Sequence, residues 1–515
     1  MFMKLRPART LHGLALAALL LSSAPAFALN GKPAVDRETV VMAISKEIAN
    51  LDGQVTASGD SQRYGWQLYD TLYALDKQGK LAPSLAVSYE ISPDLLTYTF
   101  KVRPNVKFHN GAVMTAEDVK YSMERILDPA VKSTRRPSFV NVIDKVEAPS
   151  ADTVVFRLKQ PDGAFLNKIA GYLFIVPKDY TQSLGSPEAF ARAPIGTGPY
   201  KFVEQKVGQS VTLDRFDDYF GKKPGIKRLI FRLIEEPSSR VNALLANEVD
   251  LSDGIPTVDV ARLKKTAGLS VVELPIGSPL AVRIYSNEPG SPLSNPKVRL
   301  ALNYGLDVNS LIKNVMHGVG APLSTYISSY YPVGVNKELK PYGYDPAKAK
   351  KLLAEAGYPN GFETTIYSSS DWPKEIAETI AAYWSQIGVK LKIQRIDYAA
   401  WSRLNNTHKS GPLTLMQMSN AISDPIHPVQ GAASKDGTWS DYSNPEVESL
   451  ILEVNTKVNA PDRDRIFQKI GKILHDDAHS VLLTELIYVF AKDSALEWHP
   501  QPGIAWYDLR DLKWK

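Results

Sequence analysis

Three groupings of side chains in this sequence have types and spacings that could do chemistry. The segment Leu413 to Pro425, LTLMQMSNAISDP, is an apolar run that stops at Ser419 and Asn420 and reaches Asp424 just before Pro425. A short strand that delivers polar groups to a rigid turn can hold them at the wall of a cleft. A strand end closed by an Asx turn produces the same pattern. His475 and His479 stand four apart around Asp476 and Asp477 on an expected helix, a spacing that could turn two imidazoles toward one metal ion. No third ligand is near them in sequence, and a solvated helix end accounts for HDDAH equally well. SxxK occurs at Ser294 to Lys297 and at Ser310 to Lys313, but without KTG or SDN, so the penicillin-binding-protein reading fails. GxSxG and HExxH are absent.

The elements that must position such groups belong to a long chain. At 515 residues it exceeds one ordinary core, so two or three structural lobes are expected. With 44% hydrophobic and 22% charged residues it is ordinary for a globular protein. Lys4, Arg6 and Arg9, the apolar run Leu14 to Leu21, and Ala26-Phe27-Ala28 read as a signal peptide (residues 1–28) cut after Ala28, with an apolar core too short to span a bilayer. Removing those three positive residues lowers the formal charge from +5 to about +2. A nucleic-acid partner is therefore not expected, and neither is a membrane-embedded chain. The absence of cysteine excludes disulfides, thiolate metal sites, cysteine nucleophiles and a thioether lipid anchor. No cofactor or metal is expected. Thr39 to Ser45 reads as a buried strand, Tyr64 to Tyr73 as a helix, and Thr97 to Arg103 as an alternating strand. Thr115 with Asp118 forms a capping-box start. Gly196, Gly198 and Pro199 suit a crossover that needs positive φ. Asp345 caps a helix that Gly357 ends, with Leu352 and Leu353 facing the core.

These blocks also carry a resemblance. Leu85 to Ser122, with SYEIS, YTFKVRPNVKFHNG and MTAEDVKYS, is similar to the large extracytoplasmic solute-binding proteins of peptide-type ABC importers, the dipeptide and oligopeptide-binding family. So are APIGTGPYKF at Ala193 to Phe202, RVNALLANEVDL at Arg240 to Leu251, NPKVRLALNYGLD at Asn295 to Asp307, Asp345 to Gly361, and Trp384 to Val389, in family order along nearly the whole mature chain. Asn247 stands where that family usually has Gly.

The resemblance implies an α/β, two-lobe periplasmic-binding-protein fold, type II and cluster C-like, with an extra subdomain inserted in the first lobe. Lobe I would comprise residues 29–74, 195–290 and 492–515, the inserted subdomain 75–194, and lobe II 291–491, with crossovers near Ser286-Asn287 and Tyr488 to Lys492. It implies a monomeric periplasmic receptor that captures a peptide or peptide-sized polar solute and hands it to a membrane permease, with no bond broken. A secreted hydrolase is the alternative from another class. Ligand contacts are expected from Ser419, Asn420 and Asp424, from the aromatics Trp372, Trp401, Trp439 and Tyr442, and from Arg283 and Arg403 as partners for an anion. Peptide-binding relatives often carry an Asp a few residues before the Pro to hold the ligand's α-ammonium. Alignment on Asp424-Pro425 puts Ala421 there, which favours an opine, sugar or sugar-phosphate conjugate as the alternative cargo.

Overall fold

A computed structural model describes residues 37–55, 59–418, 420–503 and 508–515. The expected signal peptide and Ser419 lie outside the described residues.

The chain opens with β1 (Thr39–Ile44), a strand of β-branched and apolar residues buried on both faces, as parallel strands require. A short hairpin, β2 (Tyr73–Leu75) and β3 (Leu81–Pro83), leads into a four-stranded antiparallel sheet of β4 (Ala86–Ile91), β5 (Thr97–Val102), β6 (Ile143–Ser150) and β7 (Thr153–Leu158). Its strands alternate because one face is packed: Tyr98, Phe100 and Phe156 turn inward onto Phe165. The helix Ala116–Leu127 lies against this sheet and starts with the expected capping box between Thr115 and Asp118. Near its other end Arg125 donates to the Asp52 carboxylate and to Gln54 Oε1, tying the inserted subdomain to the loop after β1.

Strands β8 (Tyr200–Lys206), β9 (Ser210–Arg215), β10 (Arg228–Leu233) and β11 (Leu251–Ser252) return the chain to the first lobe. β12 (Leu269–Ile284) then leaves it. The second lobe contributes β13 (Phe362–Ser369), β14 (Val389–Ile396) and β15 (Leu413–Gln417), and β16 (Ser480–Asp493) runs back. One ten-stranded sheet results, in the order β14-β13-β15-β12-β16-β11-β1-β10-β9-β8. β12 and β16, of 16 and 14 residues, are its two long central strands. Their antiparallel ladder breaks register between Pro275 and Pro279, opposite Ile487 and Glu485. Proline has no N–H to give a ladder, so two prolines here weaken pairing where the lobes meet.

Local readings fare unevenly. Asp345 caps Pro346–Glu355 and Gly357 follows it at φ 92°, as expected, with Leu353 buried and Leu352 only partly so. Gly196 and Gly198 do not have positive φ, so the handedness expected there is corrected. They are small because a Cβ would lie 2.0 Å from Leu68 O at Gly196 and 2.4 Å from Leu68 C at Gly198. Asn247 does take the left-handed conformation (φ 58°), which Asn tolerates better than most residues in place of Gly. The helix Ala460–Asp476 ends before His479, so the two histidines do not share a helical face.

Candidate ligand-binding site

The 413–425 segment ends at the boundary between the lobes. β15 is buried along its length, and after it Asn420 folds into an Asx turn, its Oδ1 accepting from Ile422 N at 3.0 Å and its Nδ2 donating to Asp424 O at 2.8 Å. Asp424 accepts from Ile426 N at 2.9 Å, and Arg463 Nη2 donates to its two oxygens at 2.7 and 2.6 Å. Both side chains are buried and occupied in holding this turn. The plainer of the two sequence expectations describes them.

Between them, Ala421 and Ile422 meet the inserted subdomain. Asn167 Nδ2, on the helix Phe165–Tyr172, donates to Ile422 O at 2.9 Å, and Gly171 of that helix is so close that a Cβ would lie 2.5 Å from Ala421 O. Gly163 N donates to Asn455 O at 2.8 Å a turn away, and at the far rim Lys46 pairs with Asp371 at 3.2 Å. The lobes are closed on each other. Ala421, the residue that the sequence resemblance set against a carboxylate, packs its backbone against Gly171 of that helix.

The end of β12 holds an incompletely bonded charge. Residues two apart on a strand share a face. Ala281 and Arg283 of β12 therefore stand with their pairing partners Met416 and Thr414 of β15 and Leu482 and Ser480 of β16. Ala281, Met416 and Leu482 form an apolar cluster with Met418, Tyr326, Trp401 and Ala432, and Trp439 packs at its edge. Arg283 is buried on this face. Its Nη2 donates to Ser410 Oγ at 2.9 Å and to the Tyr285 hydroxyl, while Nε and Nη1 make no hydrogen bond. Asp441 is 3.5 Å from Nη2 and leaves its own Oδ2 unbonded. Burial raises the Asp441 pKa against the pull of Arg283 and His408. Trp401 is also buried with its indole N–H unbonded. Two guanidinium nitrogens and one indole N–H are therefore buried donors without an acceptor.

The remaining expected contacts are dispersed. Trp439 donates from Nε1 to Asn406 Oδ1 at 3.1 Å and meets His427 edge-on. Tyr442 donates to Asp477 Oδ2 at 2.5 Å and packs edge-on against His479, inside the second lobe. Trp372 is half-buried beside Asp371, and Arg403 is exposed on the helix Tyr398–Asn406. His475 stacks on Tyr342, whereas His479 is buried, donating from Nε2 to Ala432 O and accepting from Ser480 Oγ at Nδ1, both at 2.7 Å. Burial pushes its pKa down to about 4, so it is neutral. Asn167, Gly171, Asp441 and Tyr326 were not anticipated. No local signal marks them, because their roles arise from residues far away in the chain.

Two lobes joined by paired crossover strands and closed on each other define a bilobal solute-binding protein. Residues 80–440 match the bacterial extracellular solute-binding proteins, family 5, and the chain belongs to that family. It is 32% identical to heme-binding protein A of Haemophilus influenzae over 449 residues, covering 80% of each chain. It is 31% identical to the glutathione-binding protein GsiB of Escherichia coli K12 over 524 aligned positions, covering 97% of this chain and 99% of that one. The periplasmic binding protein DppA of Helicobacter pylori, solved with the peptide STSA, superposes with a TM-score of 0.81 at 26% identity, covering 92% of this chain and 98% of that one. The chain is accordingly the extracytoplasmic solute-capturing component of an ABC importer, taking a peptide or peptide-sized polar solute between its lobes.

Proposed function

We propose that the captured solute is peptide-sized, carries at least one carboxylate or comparable anion, and does not depend on a free α-ammonium group. Arg283 carries this reading: a buried guanidinium with two unbonded nitrogens is costly unless something else accepts from it. The packing of Ala421 under Gly171 supports the second half, since no carboxylate stands there to pair with an amine. Amine-blocked or acidic peptides, opines, and sugar acid or sugar-phosphate conjugates all fall within this class. One relative is named for glutathione, which carries two carboxylates, and a structural neighbour was solved with the peptide STSA, so acid-bearing solutes of this size have precedent.

The hinge belongs, in this reading, at the register break, with Pro275 to Pro279 and Glu485 to Ile487 as its two strands, closer to the middle of β12 than Ser286-Asn287. The lobe and subdomain boundaries otherwise stay as expected from the sequence. The protein acts as an exported monomer whose leader is removed after Ala28, and it breaks no bond. The Ser480–His479 pair does not suggest hydrolysis, because both residues are buried and the second imidazole nitrogen is spent on a backbone carbonyl. Mass spectrometry of solute released by denaturing protein purified from its native compartment tests this directly. An acid-bearing solute supports the reading, and a neutral or purely cationic one overturns it.

A further inference from the structure

Glu485 is out of place in the apolar strand SVLLTELIYVF, and the fold does not provide for its charge. Both carboxylate oxygens are buried without a hydrogen bond, and the residue is only 4% exposed. The Ser328 hydroxyl and the Ser278 amide favour ionisation, but neither completes a hydrogen bond to the carboxylate. Of the titratable groups, Tyr330 and Tyr331 face it from the loop beyond β12, and Glu273, already paired with Lys264, lies along β12. Burial outweighs these influences and raises its pKa from an ordinary 4.5 to about 7.

Its position gives this a consequence. Glu485 lies opposite Pro279, at the edge of the break in the β12–β16 ladder. The groups over it come from both sides of that break: Tyr331 donates its hydroxyl to Gly277 O at 2.5 Å, and Gly503, whose N–H donates to Pro275 O at 2.8 Å, would press a Cβ to 2.9 Å from Tyr330 O. A cavity of about 360 Å³ separates the loop from the strands, lined by Glu273, Pro275, Thr325, Tyr330, Glu485 and Ile487 among others. Turning one lobe away from the other at this break would part the Tyr331 hydroxyl from Gly277 O and would let water reach the carboxylate. We propose that lobe closure in this protein takes up a proton at Glu485. This rests on the hinge placement given above.

The sign follows from linkage. A carboxyl with a higher pKa closed than open favours closure where it is protonated. That advantage is lost progressively between pH 4.5 and about 7 and changes no further above it. The chain has no cysteine, so Leu245→Cys and Leu452→Cys, at exposed sites on the first and second lobes, accept a dye pair specifically. Förster transfer in the ligand-free protein should report a closing equilibrium that falls about tenfold or more between about pH 5 and about pH 7.5. Glu485→Gln, a neutral isostere, should hold the low-pH value throughout. Glu485→Met, with no polar head, should do the same and guards against a Gln-specific defect. Thermal unfolding should place both variants above the unsubstituted protein at about pH 8 and level with it near about pH 4.5. Parallel pH curves for protein and variants would overturn the proton link while leaving the hinge standing. A distance fixed under every pH and on adding peptide or glutathione would overturn both.

Discussion

Two arginine–aspartate pairs with buried guanidiniums, Arg463–Asp424 and Arg283–Asp441, differ in how completely their partners are present. Arg463 gives Nη2 to both oxygens of Asp424 at 2.6–2.7 Å and Nη1 to the carbonyls of Val454 and Lys457, while Asp424 also accepts from Ile426 N. Arg283 stands 3.5 Å from Asp441, with two nitrogens and one carboxylate oxygen unbonded. Burying a charge is tolerable when its partners are all present. The first pair meets that condition by itself. The second is short of acceptors, and the proposed solute would supply them.

Breaking the first pair should have the largest effect on folding. Arg463→Met strands the Asp424 carboxylate, and chemical denaturation should register a loss of about 3–5 kcal/mol. Breaking the second should move function instead. Arg283→Met is expected to change unfolding free energy by less than about 1 kcal/mol, because Asp441 can take a proton, yet to weaken solute binding by about 2–5 kcal/mol in calorimetry. If Arg283→Met unfolds the protein as readily as Arg463→Met, the contrast between the pairs collapses. Trp401→Phe, which removes an idle donor and part of a ring packed in the apolar cluster, should lower the melting temperature slightly and weaken the solute by about 1 kcal/mol. Lys46→Ala removes an exposed bond across the rim. Its effect on affinity should stay within about 1 kcal/mol and shrink further in high salt.

The sequence disclosed the frame more readily than the site. The capping box at Thr115, the cap at Asp345 and the apolar strands were legible because each is decided by neighbours a few residues away. Gly196 and Gly198 were rightly singled out but for the wrong cause, since close approach to Leu68 cannot be read locally. Asn420 and Asp424 looked available because their partners are local backbone or, for Asp424, Arg463 on a helix some forty residues on. His475 and His479 were spaced for a shared face that the helix end at Asp476 removes. Arg283 was legible as a candidate but its idle donors were not, because they depend on what Ser410, Tyr285 and Asp441 leave undone. Glu485 did carry a signal, a lone acid in an apolar strand, whose meaning depended on knowing that the strand crosses between lobes.

The most direct test of the central claim is calorimetry with one short peptide, ideally the solute recovered with the protein or else glutathione, compared with its N-acetylated and its carboxyl-amidated forms. The account predicts that acetylation costs little and that amidation abolishes most of the binding, an effect that Arg283→Met removes. Loss of binding on acetylation with amidation tolerated would contradict it, and would mean that an amine is held here without the expected carboxylate.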